Sequence, residues 1–215
     1  GLQISSYTLT QVARQALDSG ILLNATEIRQ QIATPNHTFD FQFTTDFQEF
    51  DGQNFIDLLE KSYQDVGLEE TIILTRTNRR TNLYNQGVRA RVLWREEELS
   101  SGDRLMISKN NYYWTKEYEN IPFLANGDMV EVMRINKIEE MYGFHFADVD
   151  IQLMDYKDTP TLSVKILLET LHSEAPALTD DENKRLYHAV EEDYLDIPRA
   201  TDRRKAMREN PYFNA

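Results

Sequence analysis

The stretch Thr71-Ile72-Ile73-Leu74-Thr75 decides the fold class that we predict for this chain. It is a compact β-branched and aliphatic run without the polar–apolar alternation of a half-exposed strand. Such a run is typical of a strand that is covered on both faces, as in a parallel sheet. Helical patterns lie on either side of it, at residues 51–66 and 79–94. Helix, buried strand and helix together predict an α/β domain.

Upstream of this strand, the pattern predicts two helices and a short strand. Thr8 and Gln11 have the spacing of a capping box, and the helix that they begin extends to Gly20. The apolar positions that we expect to face inward on the predicted helices are Ile21, Ala25, Ile28 and Ile32, then Phe55, Leu59, Tyr63 and Val66, and then Leu83, Tyr84, Val88 and Val92. Phe39, Phe41 and Phe43 alternate with polar residues and predict a strand with one buried face.

The pattern changes to short β segments after Ser100-Ser101-Gly102-Asp103. The predicted strands are Arg104–Ser108, Met129–Asn136, Gly143–Asp155 and Leu162–Leu171. Asn126-Gly127 is a strong hairpin signal between two such segments. A small antiparallel barrel of about five strands accounts for this region. Polar helices are predicted at 179–194 and 201–209.

Composition indicates a globular protein and excludes several kinds of site. The chain has 215 residues, 40% of them apolar and 27% charged, which is enough for one large domain or two small ones. No apolar run approaches the roughly 20 residues of a membrane span. Cysteine is absent, which excludes disulfides and thiolate chemistry, and we expect a cytoplasmic protein. Residues 1–7 do not resemble a signal peptide, and the lack of an initial Met suggests a piece of a larger protein.

The charge of the chain is unevenly distributed. The net charge of −13 opposes binding to nucleic acid in general. Residues 76–116, the basic island, nevertheless contain nine basic and four acidic residues, a net charge of +5 that leaves −18 for the rest of the chain. The island indicates either a phosphate-binding surface or a solvated helix face with ordinary ion pairs.

No complete catalytic motif is present in the sequence. There is no glycine-rich phosphate loop ending in Gly-Lys-Ser/Thr, no nucleophile elbow and no zinc-binding histidine pair. The four histidines are isolated, and acidic groups such as Asp148 with Asp150 or Glu191 to Asp193 are expected by chance among 36 acids. We therefore predict no metal site and no activity for the chain alone.

Four stretches show a family pattern: Leu9–Ile21, Ile73–Asn78, Gly102–Tyr112 and Asn126-Gly127-Asp128. In this order and spacing they resemble the C-terminal half of RecD-like superfamily-one DNA helicases, the relatives of the exodeoxyribonuclease V alpha subunit. Members of that family clamp ATP between two RecA-like domains and step along single-stranded DNA. The resemblance implies a fragment of an ATP-dependent helicase or exodeoxyribonuclease, a hydrolase of DNA repair.

The resemblance also implies a domain organisation. Residues 1–100 would be part of the second RecA-like domain, with its parallel sheet. Residues 101–175 would form an inserted small antiparallel barrel of the Src-homology-3 type, and 176–215 a helical return segment. In the intact parent, ATP and Mg would bind between this domain and its partner, the first RecA-like domain. Neither ATP nor Mg is expected to bind to this chain alone. Single-stranded DNA is the expected ligand, and no membrane is expected as a partner.

Site residues follow from the matched motifs. Arg14 matches the arginine that reaches the γ-phosphate, and Gln15 would contact ATP; alternatively, Arg14 pairs with Asp18 four residues on. Arg76, Thr77 and Asn78 would contact the DNA backbone. Asn78 is also a plausible helix cap.

The segment Lys109-Asn110-Asn111-Tyr112-Tyr113-Trp114 combines a cation, two amides and three aromatic rings. This mixture suits single-stranded DNA, because cations bind phosphates and ring faces stack on bases. Of these residues, Lys109, Asn110, Asn111 and Tyr112 are the predicted DNA contacts. Alternatively, Tyr112 and Trp114 pack into the barrel core and Tyr113 points outward.

Some features depart from the family pattern and leave other functions open. Members of the family usually have one residue and then a second glycine after Asn-Gly-Asp, whereas this chain has Met129-Val130 there. The acidic residues Glu117 and Glu119 would repel DNA. Residues 138–215 match no motif. The alternative functions are a non-catalytic, acidic protein-interaction module and a free-standing metal nuclease.

Overall fold

The structure is a computed structural model that describes residues 6–7, 19–32, 38–156, 158–173 and 177–215. The chain divides into two compact units, Gly1–Thr71 and Ile72–Ala215. The predicted helix that begins at Thr8, with Arg14 and Gln15, lies outside the described residues. No helix within the described ranges is long and apolar enough to cross a membrane.

In the first unit, helix α1 spans Gly20–Gln31. Its buried face consists of Gly20 and Asn24, whereas Ile21 and Ile32, which we predicted to face inward, are exposed. The side chain of Asn24 explains the difference, because it pairs with both the N–H and the C=O of Gln42 at 2.9 Å. A polar clamp therefore holds this helix to the following segment.

The strand predicted around Phe39, Phe41 and Phe43 is wrong. Residues 38–46 form no strand, and all three rings are about half exposed. Phe41 and Phe43 contact Phe47, with ring centroids 5.8 and 5.9 Å apart. Among the described residues no neighbouring strand pairs with this segment, and an alternating pattern without a partner cannot form a sheet.

Helix α2 begins and ends as predicted. A 3₁₀ turn at Gly52–Asn54 is capped by Asp51, whose carboxylate accepts a hydrogen bond from the Gln53 N–H at 3.1 Å, and α2 follows at Phe55–Asp65. Leu59 is buried. The positive φ of +93° at Gly67 ends the helical region without steric strain.

The stretch on which the fold class was predicted is not a strand in the structure. Residues 71–75 belong to no strand or helix and pair with no described strand, and the side chains of Ile72 and Leu74 are 80% and 85% exposed. The structure thus combines helices with an antiparallel sheet and does not show the predicted parallel RecA-like sheet. Helix α3 follows at Asn78–Arg91, but of its predicted inward residues Leu83 and Tyr84 are exposed and Val88 is buried.

The second unit contains a curled, four-stranded antiparallel sheet with the order β1-β2-β3-β4. Its strands are β1 at Arg104–Met106, β2 at Met129–Met141, β3 at Phe144–Leu153 and β4 at Leu162–Leu167. Each lies within or overlaps a predicted segment, although we predicted about five strands. Asn126-Gly127 forms a turn in the segment that enters β2, so the prediction that it directly joins two strands is wrong.

The two ends of strand β3 are buried on opposite faces of the sheet. Val149, Ile151 and Leu153 face a first hydrophobic cluster, which includes Val132 and Val164 on the neighbouring strands. Phe144 and Phe146 face a second cluster formed with the C-terminal helices. These helices are α5 at Asp180–Glu192 and α6 at Ala200–Met207, whereas Leu171 of the short helix α4 at Glu169–His172 packs against the first cluster. Leu186, Val190 and Met207 complete the second cluster, so the region without a recognised motif covers one face of the sheet.

A buried lysine lies at the edge of the second cluster. Lys165 is 5% exposed, and its ammonium group pairs with Glu139 at 2.9 Å and lies 4.3 Å above the Tyr212 ring. Hydrogen bonds from Lys137, Lys165 and Tyr212 lower the pKa of Glu139 to about 2. The charged carboxylate of Glu139 is thus favoured in the folded protein.

The lowered pKa of Glu139 predicts that the folded protein loses stability in acid. The folded-state pKa of Glu139 lies below its ordinary value of 4.5, so its contribution is complete above about pH 4.5 and is lost as the pH falls through about 2. Urea unfolding between pH 6 and 2 should therefore show a shallower acid decline for Glu139→Gln than for the wild type. Glu140→Gln, at the exposed neighbouring position, is the control. An unchanged pH profile in Glu139→Gln would contradict the prediction.

Candidate nucleic-acid interface

A cleft of about 460 Å³ opens between the β1 side of the sheet, β4 and the C-terminal residues. Lys109, Asn110, Asn111 and Tyr112 all line it. Its volume lies in the range of binding sites for small ligands or parts of larger ones. The structure thus places these four predicted DNA contacts around one concavity.

Two of the stretches that show the family pattern contact each other beside this cleft. The Gly127 N–H donates to the Ile107 C=O at 2.8 Å, and the Ile107 N–H donates to the Asp128 C=O at 2.9 Å. The Asn126 N–H donates to the side-chain oxygen of Asn110, also at 2.8 Å. Residues 102–112 and 126–128 are therefore parts of one local structure.

An aromatic pair with one exposed ring, that of Tyr112, lies beside the cleft, and its second ring, that of Phe123, is half-buried. Tyr112 is 60% exposed, and its ring stacks on that of Phe123 with centroids 5.0 Å apart and an interplanar angle of 29°. Lys109 and Asn110 are exposed beside it along the chain. We call Lys109, Asn110, Tyr112 and Phe123 the aromatic rim.

Phe123 was not predicted as a site residue, because its place opposite Tyr112 depends on a pairing register that only the structure shows. Leu105 pairs with Val130 in the sheet, and the same register continues to an isolated bridge between Asn111 and Leu124. Extending that register by one residue places Phe123 opposite Tyr112. The chain reverses within residues 113–122, beyond this pair.

Asn111 has a structural partner at the C-terminus. Its side-chain oxygen accepts a hydrogen bond from the Tyr113 N–H at 2.9 Å, and its side-chain nitrogen donates to the Asn214 C=O at 2.8 Å. The indole N–H of Trp114 donates to the same carbonyl at 2.9 Å. Asn111 therefore holds the loop in shape, and its side-chain hydrogen-bonding groups are occupied.

The aromatic residues of the loop only partly follow the alternative in which Tyr112 and Trp114 pack into the core and Tyr113 points outward. Trp114 packs against the first hydrophobic cluster, as that alternative predicts, but Tyr112 points outward. Tyr113 contacts Trp114 edge-on and donates from its hydroxyl to the Glu209 C=O. Lys116 lies 4.5 Å from the Tyr113 ring centroid and also pairs with the carboxylate of Glu209.

Arg76, Thr77 and Asn78 lie at the start of α3 and do not line the cleft. Thr77 is the helix cap, because its side chain accepts a hydrogen bond from the Arg80 N–H at 3.3 Å. The alternative role of Asn78 as the cap is therefore wrong. Arg76, Thr77 and Arg80 border a smaller concavity of about 220 Å³, where the helix N-terminus favours anions.

Two arginines of the basic island share the single carboxylate of Asp103. Arg89 and Arg95 each pair with this buried carboxylate at 2.8 Å. Burial raises the pKa of Asp103, but hydrogen bonds from Arg89, the Ser100 N–H and Arg95 outweigh it and hold the pKa below its ordinary value. Part of the island is thus structural, as the ion-pair alternative predicts.

Arg14 and Gln15 lie outside the described residues. Within the described part of the chain, no three His, Asp or Glu side chains are grouped closely enough to hold a metal ion.

Comparison of the sequence with protein-family models gives no match, and comparison with curated proteins gives no significant match.

Proposed function

We propose that this chain is part of a RecD-like, ATP-dependent DNA helicase and binds single-stranded DNA through the aromatic rim. The observation that supports this most strongly is the exposed ring of Tyr112, which stacks on the half-buried ring of Phe123 next to Lys109 at the mouth of a cleft. The contact between the two family-like stretches at this place adds to the support.

The chemistry of the rim fits a single strand better than a duplex. Exposed ring faces stack on unpaired bases of any sequence, and an adjacent ammonium group neutralises a phosphate. The amide of Asn110 is held by the Asn126 N–H, so we assign it to shaping the rim. Because the rest of the chain is strongly acidic, binding by this chain is expected to be weak and sensitive to salt.

In the proposed parent protein, the first unit and α3 belong to the second motor domain. Arg14 then reaches the γ-phosphate of ATP, with Gln15 beside it, and the first RecA-like domain supplies the remaining nucleotide and Mg contacts. The exposed side chains of Ile72 and Leu74 support this arrangement, since flanking strands of a parallel sheet would cover them. Arg76 and Thr77 would contact DNA phosphates in the same protein.

Fluorescence anisotropy of a labelled oligothymidine tests the proposal. We expect wild-type binding at low salt, with a logarithmic affinity that falls linearly with the logarithm of salt concentration. Lys109→Ala should weaken binding several-fold and reduce the salt slope by about 0.7, the value for one phosphate contact on a single strand. Lys184→Ala, which removes an exposed lysine outside the cleft, should change the affinity much less.

The same experiment distinguishes the second candidate function. A non-catalytic protein-interaction module is favoured by the acidic surface and by Trp94, which is 81% exposed. Absence of wild-type binding at low salt would contradict the DNA proposal and favour this module. Equal loss in Lys109→Ala and Lys184→Ala would contradict the assignment of the site to the rim.

A further inference from the structure

Helix α3 is attached to the sheet in an unusual way. In the part of the chain that the structure describes, no residue of this helix belongs to either hydrophobic cluster. Its connections to the rest of the unit include hydrogen bonds to Asp103, and the Asn82 side chain also donates to the Ser173 C=O at 2.8 Å. Hydrogen bonds and ion pairs therefore contribute strongly to holding helix α3 in its position.

Asp103 is the centre of these contacts. Arg89 of α3 donates to its carboxylate through two nitrogens, at 3.1 and 2.8 Å. Arg95, beyond the end of the helix, and the Ser100 N–H each donate to it at 2.8 Å. At 4% exposure, this carboxylate is shielded from water, so its loss would leave two guanidinium groups without their partner.

The same residue is anchored to the sheet through its backbone. The Val132 N–H of β2 donates to the Asp103 C=O at 2.8 Å, and the Gly102 N–H donates to the Val132 C=O at 2.6 Å. The φ of Gly102 is +81°, a backbone conformation that residues with a side chain rarely adopt, so this turn favours glycine. Helix, loop and sheet thus meet at Asp103.

We propose that Asp103 is a positioning residue of the DNA-binding surface, an inference that rests on the proposed function. Its carboxylate docks α3, so that the turn at Arg76–Arg80 and the aromatic rim are held in one fixed arrangement. Two contact regions in a fixed arrangement bind the same strand with a high effective concentration, whereas undocked regions bind independently. Asp103 itself touches no DNA.

Docking is measured by the distance between two spin labels. The chain has no cysteine, so Asn85→Cys on α3 and Met133→Cys on β2, both exposed, introduce the only labelling sites. We expect a narrow distance distribution by pulsed electron paramagnetic resonance. Asp103→Asn should broaden it, whereas Asp155→Asn, which removes the same charge at an exposed position, should not. A narrow distribution in Asp103→Asn would overturn the docking role.

The effect on DNA is measured with the unlabelled variants. We expect Asp103→Asn to bind oligothymidine about tenfold more weakly and with a shallower salt slope than Asp155→Asn. Circular dichroism establishes that both variants are folded. If Asp103→Asn does not fold, Arg89→Lys, which keeps the charge and loses the two-pronged contact, should show the same changes to a smaller degree.

The outcomes separate this inference from the proposed function. A broadened distance distribution together with unchanged affinity and salt slope would overturn the positioning role and leave DNA binding intact. Absence of DNA binding by the wild type would overturn the proposed function and this inference with it, while the spin-label distances would still report whether Asp103 docks the helix. Broadening and weaker binding in Arg89→Lys would support the inference.

Discussion

Replacing Tyr112 and Phe123 together with alanine is expected to weaken binding to single-stranded DNA by about 10- to 100-fold. The two rings stack on each other and Tyr112 is largely exposed, so the pair offers a face on which a base can stack. Loss of one stacked base costs about 1–3 kcal/mol, and about 1.4 kcal/mol corresponds to a factor of ten in affinity. Anisotropy with oligothymidine at constant low salt measures the change.

The control for this variant is Phe50→Ala in the first unit. Phe50 is also about half exposed, stacks on another ring, that of Phe55, and does not line the cleft, so its loss should leave the affinity within about twofold of the wild type. Circular dichroism should show the same folded content in all three proteins. Binding by the double variant as tight as that of Phe50→Ala would contradict the assignment of the site to the aromatic rim.

Phe146→Ala is expected to lower the free energy of unfolding of the second unit by about 3–5 kcal/mol. Phe146 has no exposed surface, belongs to the second hydrophobic cluster and contacts the Tyr212 ring edge-on, with centroids 5.0 Å apart. The substitution leaves a cavity between β3 and the C-terminal helices. Urea unfolding followed by near-ultraviolet circular dichroism measures the loss.

The matched control for Phe146 is Phe43→Ala in the first unit. Phe43 is 54% exposed, so its replacement should cost less than about 1 kcal/mol. Similar losses for the two variants would contradict the assignment of β3 and the C-terminal helices to one packed core. A large loss for Phe146→Ala alone would support it.

The elements that the sequence predicts well are those with local signals. The predicted strand segments contain alternating apolar and polar residues or continuous apolar runs between turns. Each observed strand overlaps its predicted segment. Helix α5 follows a capping box, in which the Thr179 side chain and Glu182 bond each other's backbone. Such signals involve residues three or four apart, so the sequence alone contains them.

The failed predictions depend on distant partners. Ile72 and Leu74 have the composition of a buried strand, but a strand requires a neighbour, and no described residue provides one. The stripe on α1 was misassigned because the side chain of Asn24, rather than an apolar face, binds the segment around Gln42. Periodicity does not reveal a clamp between residues 18 positions apart.

The residue types of the candidate site could be predicted from the sequence, but the hydrogen bonds and ion pairs that its side chains form could not. A cation, amides and aromatic rings within Lys109–Trp114 indicated a surface for single strands. The hydrogen bond from Asn111 to Asn214 spans 103 positions, so nothing near Asn111 signals that its side chain is already occupied. Likewise, the pairing of Arg89 and Arg95 with the same Asp103 carboxylate depends on the folded arrangement of helix and sheet.

Mapping the binding surface by nuclear magnetic resonance tests the central claim most directly. Titration of the isotopically labelled chain with a ten-nucleotide oligothymidine should shift the backbone amides of residues 109–112 and 123 and the indole N–H of Trp114. Residues on the opposite part of the sheet, such as Met133 and Ile138, are exposed and should not shift. Shifts confined to that surface, or none at all at low salt, would contradict the assignment of single-stranded DNA to the aromatic rim.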